Sequence, residues 1–221
     1  MTFYNEYKYA VQQSQLSTIL EILKSSYGMS DQFSSGVVDS VYYDDLSFKA
    51  FHQCQNGEPR KKKLRIRGYG LDFQQLHLKD KNIFGVSKLK VKIQPCRIKD
   101  GNAPELDSLT PMNPDDKDFP KIISFAASLP SVEPIIRVKY YRYRYRIFDY
   151  RFTLDTNIEV SGFSDKLLIK GAYSTLPHHV LEIKTEDERP HLPLFGVTKL
   201  QQISFSKFYL GICQLTDRNG G

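Results

Sequence analysis

The sequence predicts an α+β fold in which β-strands outnumber helices, and three observations lead to this prediction. Charged and apolar residues alternate at period two in several short segments, such as 61–67, and this is the pattern of a strand with two different faces. Turn signals such as Asn56-Gly57 separate these segments. Few stretches show the longer period of an amphipathic helix. With 221 residues, 40% of them hydrophobic, the chain is long enough for one sizeable domain.

The local patterns place each element along the chain. Strands are predicted over 3–10, 37–43, 48–53, 61–69, 73–81, 135–147, 150–158 and 179–185. Helices are predicted over 14–27, 119–129, 191–201 and 204–213; Leu16, Ile19, Leu20 and Leu23 form the apolar face of the first. The polar, proline-containing stretch 98–118 is predicted to be a loop. One domain is expected over 1–215, with 216–221 as a disordered tail.

The charged faces of these strands are basic or mixed in sign. They carry Glu6 and Lys8; Lys63, Arg65 and Arg67; His77, Lys79 and Lys81; Arg142, Arg144 and Arg146; and Glu182 and Lys184. Two arrangements satisfy this pattern. In one, the charged faces meet solvent and the apolar faces meet each other in a sandwich; in the other, the charged faces point inward and helices cover the apolar faces. The pattern alone favours the first, because charge on a strand is usually solvated.

The composition narrows the class of protein. A net charge of +6 favours an anionic partner such as phosphate, nucleic acid or an acidic surface. Cys54, Cys96 and Cys213 are odd in number and widely spaced, which fits neither a disulfide framework nor a zinc site and favours a reduced, cytoplasmic location. The N-terminus has no signal-peptide pattern, and no run approaches the roughly 20 apolar residues that span a membrane.

Taken in order, six segments resemble the vacuolar transporter chaperone (VTC) domain, a branch of the triphosphate tunnel metalloenzyme superfamily. No single motif is specific, but together they cover nearly the whole chain. The segments are Glu6-Tyr7-Lys8-Tyr9; Ser40-Val41-Tyr42-Tyr43-Asp44; Lys63-Leu64-Arg65-Ile66-Arg67-Gly68-Tyr69; Tyr140-Tyr141-Arg142 followed by Arg151-Phe152-Thr153-Leu154-Asp155-Thr156-Asn157; Glu182-Ile183-Lys184; and Phe205-Ser206-Lys207-Phe208 with Gly211.

The resemblance implies the inward arrangement, with a mainly antiparallel, closed eight-stranded barrel, a basic tunnel and amphipathic helices over its outside. It implies that phosphates are bound by Lys8, Arg65, Arg67, Lys79, Arg142, Arg151, Lys184 and Lys207. Arginine suits this role because its planar fork binds two phosphate oxygens, whereas lysine supplies a point charge. Glu182, with Glu6, is the expected ligand of Mn²⁺ or Mg²⁺, since such ions need only one or two protein carboxylates when phosphate oxygens are present.

The function implied is metal-dependent processing of polyphosphate, tripolyphosphate or a nucleoside triphosphate, by transfer to a growing chain or by hydrolysis. No side-chain nucleophile is expected, because phosphoryl transfer depends on positioning and charge neutralisation. Asp155, with Thr153, is expected to orient Arg151. The chain departs from the family pattern at His77, where a glutamate is usual, and at Ser204, where the polymerase branch often carries a lysine.

Two other functions remain open at the level of sequence. One is a polyphosphate-binding or sensing module without turnover, which the departure at His77 favours. The other is a nucleic-acid-binding protein that uses the tyrosine-rich hairpin 135–158 to stack bases, although we expect no specific nucleic acid. A membrane or regulatory partner protein would be needed if the product crosses a membrane.

Overall fold

The computed structural model describes residues 5–25, 35–70, 72–83, 85–99, 101–147, 150–188 and 199–217. Strands β1 to β10 span Asn5–Val11, Gly36–Asp45, Lys61–Gly68, Phe73–Asn82, Gly85–Cys96, Val132–Ile147, Tyr150–Gly162, Tyr173–Thr175, His179–Thr185 and Gln201–Gln202. Helices α1 to α4 span Leu16–Ser25, Lys49–Gln55, Phe119–Ala127 and Lys207–Thr216. The predicted α+β class with a large antiparallel sheet is confirmed.

The described residues form two compact units, each assembled from separated stretches of the chain. The first draws on Met1–Val37, Tyr140–Ile158 and Thr175–Phe205, and the second on Val38–Lys139, Glu159–Ser174 and Ser206–Gly221. Strands β6 and β7 therefore contribute residues to both units.

In the first unit, hydrogen-bonded neighbours follow the order β10-β1-β9-β7-β6. One sheet face is apolar and packs on helix α1, through a core that includes Tyr9, Phe152 and Leu181 on the strands and Ile19 and Leu23 on the helix. Burying these side chains stabilises the unit by about 1.5–3 kcal/mol for each fully buried large apolar residue. The residues of opposite parity, which carry the charges, lie on the other face.

In the second unit, the order is β6-β2-β3-β4-β5, and β8 pairs with β7. Leu64, Ile66 and Leu76 lie on the face that packs against Ile122 and Ala126 of helix α3. The segment 103–109 adds to the same core through Ala103, Leu106 and Leu109. In each unit a helix covers the apolar sheet face, so the sandwich that the pattern alone favoured is wrong.

The predicted closed eight-stranded barrel is not what the described strands form. They make a ten-stranded sheet whose path begins at β10 and ends at β5, without closure between those strands in the described residues. The alternation of residues identifies the faces of a strand but carries no information about which edges pair.

Several local predictions were wrong or incomplete. The extended segment predicted over 48–53 is helix α2, because the carboxylates before it cap its backbone: Asp44 accepts hydrogen bonds from the amides of Ala50 and Phe51, and Asp45 accepts one from the amide of Lys49. Strands β5, β8 and β10 were not predicted at all, and β10 begins at Gln201, where the third predicted helix was expected to end. The single-domain boundary stays a prediction.

Several predicted features lie outside the described residues. They are residues 3–4 of the first strand, residues 26–27 of the first helix, the turn at 148–149, residues 191–198 of the third helix and residues 218–221 of the tail.

Candidate phosphate-binding site

The second unit presents three rows of polar and basic side chains across β3, β4 and β5. Residues opposite each other in antiparallel strands lie side by side on one sheet face. The register aligns Lys63 with Lys79 and Lys88, Arg65 with His77 and Lys90, and Arg67 with Gln75 and Lys92. We call these nine residues the cation rows. Strands about 4.8 Å apart, with rows about 6.7 Å apart along each strand, give a lattice of positive charge on a rigid support.

Arg65 is held by two neighbours in the middle row. Its Nη1 donates to the hydroxyl of Tyr42 at 2.9 Å, and its Nε donates to Nδ1 of His77 at 3.3 Å. The guanidinium also lies over the Tyr42 ring, 5.6 Å from its centroid. These contacts restrict a long side chain before a ligand arrives, which lowers the entropy lost on binding.

His77 acts as a neutral support for Arg65. The imidazole is buried, and its Nε2 lies 2.9 Å from Oε1 of Gln75. Because Nδ1 accepts from Arg65, Nε2 carries the proton and donates to Gln75. Burial lowers the pKa of His77 far below its usual value, and the charges of Lys88, Arg65, Arg67 and Lys90 lower it further.

Two further cations of the rows, Arg67 and Lys63, are also positioned by neighbours. Nε of Arg67 donates to the hydroxyl of Ser40 at 3.0 Å, and this arginine is 6% exposed. Nζ of Lys63 donates to the hydroxyl of Ser206 at 2.8 Å. Ser206 is the N-cap of α4 and accepts a hydrogen bond from the amide of Tyr209, so Lys207 begins the helix beside these groups.

Helix α4 packs closely on its unit. A Cβ atom added at Gly211 would lie 2.9 Å from Cδ1 of Ile136 and 3.0 Å from Cγ1 of Val160, so glycine permits this approach. Phe208, in the first turn, lies 5.4 Å from the ring of Tyr42. The closing segment predicted from the sequence therefore anchors a helix next to the cation rows.

The first unit carries a second charged group, in which carboxylates alternate with lysines. The register places Glu6 opposite Lys184 and Lys8 opposite Glu182. Nζ of Lys184 lies 3.7 Å from Glu6 and 3.3 Å from Glu182, and Nζ of Lys8 lies 3.1 Å from Glu6. We call these four residues the carboxylate–lysine cluster. Arg151 lies opposite Lys184 on the neighbouring strand and extends the cluster.

Arg142 in the same unit is paired with Asp155. Its Nε and Nη2 donate to the two carboxylate oxygens at 2.6 and 2.7 Å. The guanidinium lies 5.3 Å from the centroid of the Tyr140 ring. Burial opposes the charge of Arg142, but its neighbours Tyr140, Asp155 and Glu182 outweigh burial and raise the pKa of Arg142 well above the usual value. Asp155 was predicted to orient Arg151, whereas the structure shows it binding Arg142.

The structure thus places Arg65, Arg67, Lys79 and Lys207 in the second unit, and Glu6, Lys8, Arg142, Arg151, Glu182 and Lys184 in the first. That both sets line one lumen stays a prediction. Sequence reasoning missed Lys88, Lys90 and Lys92, although they repeat at period two like the strands that were recognised. It also gave no role to Tyr42, whose contact with Arg65 depends on strand pairing.

A cavity of about 490 Å³ lies on the other side of β3, among Leu64, Tyr43, Phe125, Lys62 and Asp80. None of the eight predicted phosphate-binding residues belongs to its lining. Its lining mixes the cations Lys49, Arg60, Lys61 and Lys62 with the carboxylates of Asp44, Asp45 and Asp80, and Nζ of Lys62 lies 3.5 Å from Asp80. The carboxylates offset most of this positive charge and would repel a polyanion. We assign the phosphate site to the cation rows on the basis of charge.

Solved structures share this fold. A candidate adenylate cyclase from Bacillus halodurans is 16% identical, with 85% of this chain and 84% of that chain covered and a TM-score of 0.50. A candidate adenylyl cyclase from Hippeastrum, described as having a dominant triphosphatase activity, is 12% identical, with 95% of both chains covered and a TM-score of 0.51. At these identities the likeness concerns the fold. No curated protein matches the sequence.

The profile of the VTC domain matches residues 3–216, so the chain belongs to the VTC domain family. This confirms the resemblance found in the sequence. Among the described residues, no helix is long and apolar enough to cross a membrane. The cytoplasmic location and the membrane or regulatory partner protein stay predictions.

Proposed function

We propose that this protein binds the phosphate chain of tripolyphosphate, a nucleoside triphosphate or polyphosphate, and that it transfers or hydrolyses the terminal phosphoryl group with Mn²⁺ or Mg²⁺. The observation that carries the proposal is the cation rows, in which Arg65 is held in place by Tyr42 and His77. Membership of the VTC domain family supports it, because the resemblance to that family implies processing of polyphosphate or triphosphate. The triphosphatase activity described for the Hippeastrum protein adds support by analogy of fold.

Each kind of residue has a distinct part in this proposal. Arg65 and Arg67 would bind phosphate oxygens in pairs, because a guanidinium offers two parallel donors. The lysines of the rows would neutralise the oxygens that gain charge as the bond to the leaving phosphate breaks. The other predicted cations, Arg142, Arg151, Lys8 and Lys184 of the first unit, would also bind phosphate oxygens.

The carboxylate–lysine cluster has donors that fit a divalent cation bound together with phosphate. Glu6 and Glu182 both approach Nζ of Lys184, so their oxygens converge on one position that is now neutralised by an ammonium group. A bound Mn²⁺ or Mg²⁺ would neutralise phosphate oxygens and complete its coordination with water. No group of three or more His, Cys, Asp or Glu side chains that could hold a metal ion is found in the described residues.

Turnover is tested by incubating the pure protein with ATP or tripolyphosphate and Mn²⁺, and by measuring released phosphate and polyphosphate. We expect Glu182→Gln to abolish metal-dependent turnover while tripolyphosphate still binds without metal, since the variant keeps the shape of the side chain and removes its charge. Glu188→Gln is the control, because it makes the same change at a carboxylate outside the cluster. Equal turnover in Glu182→Gln and wild type would contradict the metal assignment.

A non-catalytic polyphosphate-binding or sensing module is the second candidate, and His77 is the observation that favours it. A buried, neutral imidazole occupies a position where the family pattern has a carboxylate, so this site offers one negative charge fewer to a metal. Binding of tripolyphosphate without turnover in either Mn²⁺ or Mg²⁺ would support this candidate.

A further inference from the structure

Tyr42 occupies the centre of the basic region in the second unit, although nothing in the sequence pattern gives it a chemical role. Tyr42 on β2 lies directly opposite Arg65 on β3, so the phenol and the guanidinium share one face of the sheet. The side chain is 6% exposed, and its hydroxyl accepts a hydrogen bond from Nη1 of Arg65 at 2.9 Å. Within the described residues, the hydroxyl donates to no acceptor.

This environment favours the anionic form of the phenol. The charged groups placed against it are Arg65 and Arg67 on β3 and Lys207 at the start of α4, and all are cations. A phenolate accepts hydrogen bonds without needing an acceptor for its own proton, which suits a buried oxygen that faces only donors. Burial opposes ionisation, but these cations outweigh it and lower the pKa of Tyr42 to about 7.

We propose that Tyr42 is a proton-exchanging residue of the phosphate site: as a phenolate it neutralises the cation rows while the site is empty, and it takes up a proton when a phosphate chain binds. The inference rests on the proposed function. The proton comes from the acid form of the buffer. An O–H bond forms at the phenolate oxygen, and the buffer molecule is left as its conjugate base. Phosphate oxygens then replace the phenolate as the counter-charge of Arg65.

The consequence is a pH dependence of binding with a definite sign. With a pKa of about 7, Tyr42 is about nine-tenths ionised at pH 8 and about one-tenth ionised at pH 6. Binding at pH 8 therefore takes up close to one proton, and the affinity falls by up to about tenfold per pH unit above pH 7. The guanidinium groups of Arg65 and Arg67 keep their protons throughout this range, so they add no slope of their own.

The ionisation can be measured without a ligand, by following the ultraviolet absorbance of tyrosinate between pH 6 and 8. The chain has 14 tyrosines, and ordinary tyrosines titrate only near about pH 10. We expect one tyrosinate to form in this range in the wild type and none in Tyr42→Phe. Arg65→Gln leaves Tyr42 in place and should move its titration above this range. It therefore provides a second variant if Tyr42→Phe does not fold.

The linkage to binding is measured by calorimetry with tripolyphosphate at pH 6 and pH 8, in buffers that differ in ionisation enthalpy. We expect wild type to take up close to one proton more than Tyr42→Phe at pH 8, and the two proteins to agree at pH 6. The ligand's own ionisation is common to both proteins and cancels in the comparison. Equal proton uptake in the two proteins, or no tyrosinate below pH 8, overturns the role of Tyr42 alone. Failure of wild type to bind at either pH overturns the proposed function as well.

Discussion

The Arg142–Asp155 pair provides a quantitative test of how the first unit is held together. In Asp155→Asn, the amide keeps the size of the side chain but removes the charge that the guanidinium faces. The carboxylate is 0% exposed and Arg142 is 16% exposed, so water cannot replace the lost partner. Removing one member of such a buried pair costs about 3–5 kcal/mol of unfolding free energy. For a chain of this length, about 2–4 °C is lost per kcal/mol, which corresponds to a fall of roughly 6–20 °C in Tm.

The assay is thermal unfolding followed by circular dichroism, with Asp165→Asn as the matched control. Asp165 lies 2.9 Å from Nζ of Lys170, but these side chains are 74% and 56% exposed. Exposed pairs contribute only about 0–1 kcal/mol, so the control should lose little. A Tm of Asp155→Asn within about 2 °C of wild type would refute the reasoning, because it would correspond to less than about 1 kcal/mol.

Two further predictions concern the second unit. First, His77 has a lowered pKa in the folded protein, so the unfolded chain binds more protons below about pH 6.5, and stability should fall as the pH drops from that value. Denaturation at pH 7.5 and pH 5 should show that His77→Gln loses less unfolding free energy on acidification than wild type does. An equal loss in both proteins would contradict the burial of a neutral imidazole. Second, millimolar tripolyphosphate in low salt should raise Tm more than sulfate does, because it engages more of the cation rows at once. An equal shift with both anions would show that they bind without regard to chain length.

Much of the fold could be predicted from the alternation of odd and even positions (parity), because charged and apolar residues alternate in most strands. Parity separated Arg65 and Arg67 from Leu64 and Ile66, and the structure places these pairs on opposite faces. Helix α3 was predicted with nearly its observed bounds, since its apolar face and Pro120 are both local signals. Helix α2 was missed because its N-terminus is capped by Asp44 from the preceding strand, and a cap of this kind is not visible as periodicity.

The residue types that form the site could be predicted from the sequence, but most of the contacts between them could not. The cations were identified by type and parity, but their partners depend on strand register, which the sequence does not encode locally. Asp155 shows the difference, because its residue type indicated an ion pair while only the pairing of strands selects Arg142 as its partner. His77 was seen as a departure from the family pattern, and only the structure shows it supporting Arg65.

The central claim is that the cation rows bind a phosphate chain, and a metal-free calorimetric isotherm with tripolyphosphate at low salt tests it most directly. We expect saturable binding in wild type, weakened by added salt because the attraction between charges is screened. Arg65→Ala should weaken the binding free energy for tripolyphosphate by about 1–3 kcal/mol, which is a roughly 5- to 150-fold loss of affinity. Lys62→Ala is the control on the same strand: it removes one positive charge from the opposite face, where Nζ lies 3.5 Å from Asp80, and it should bind almost as wild type does. Equal losses in Arg65→Ala and Lys62→Ala, or no saturable binding in wild type, would contradict the claim.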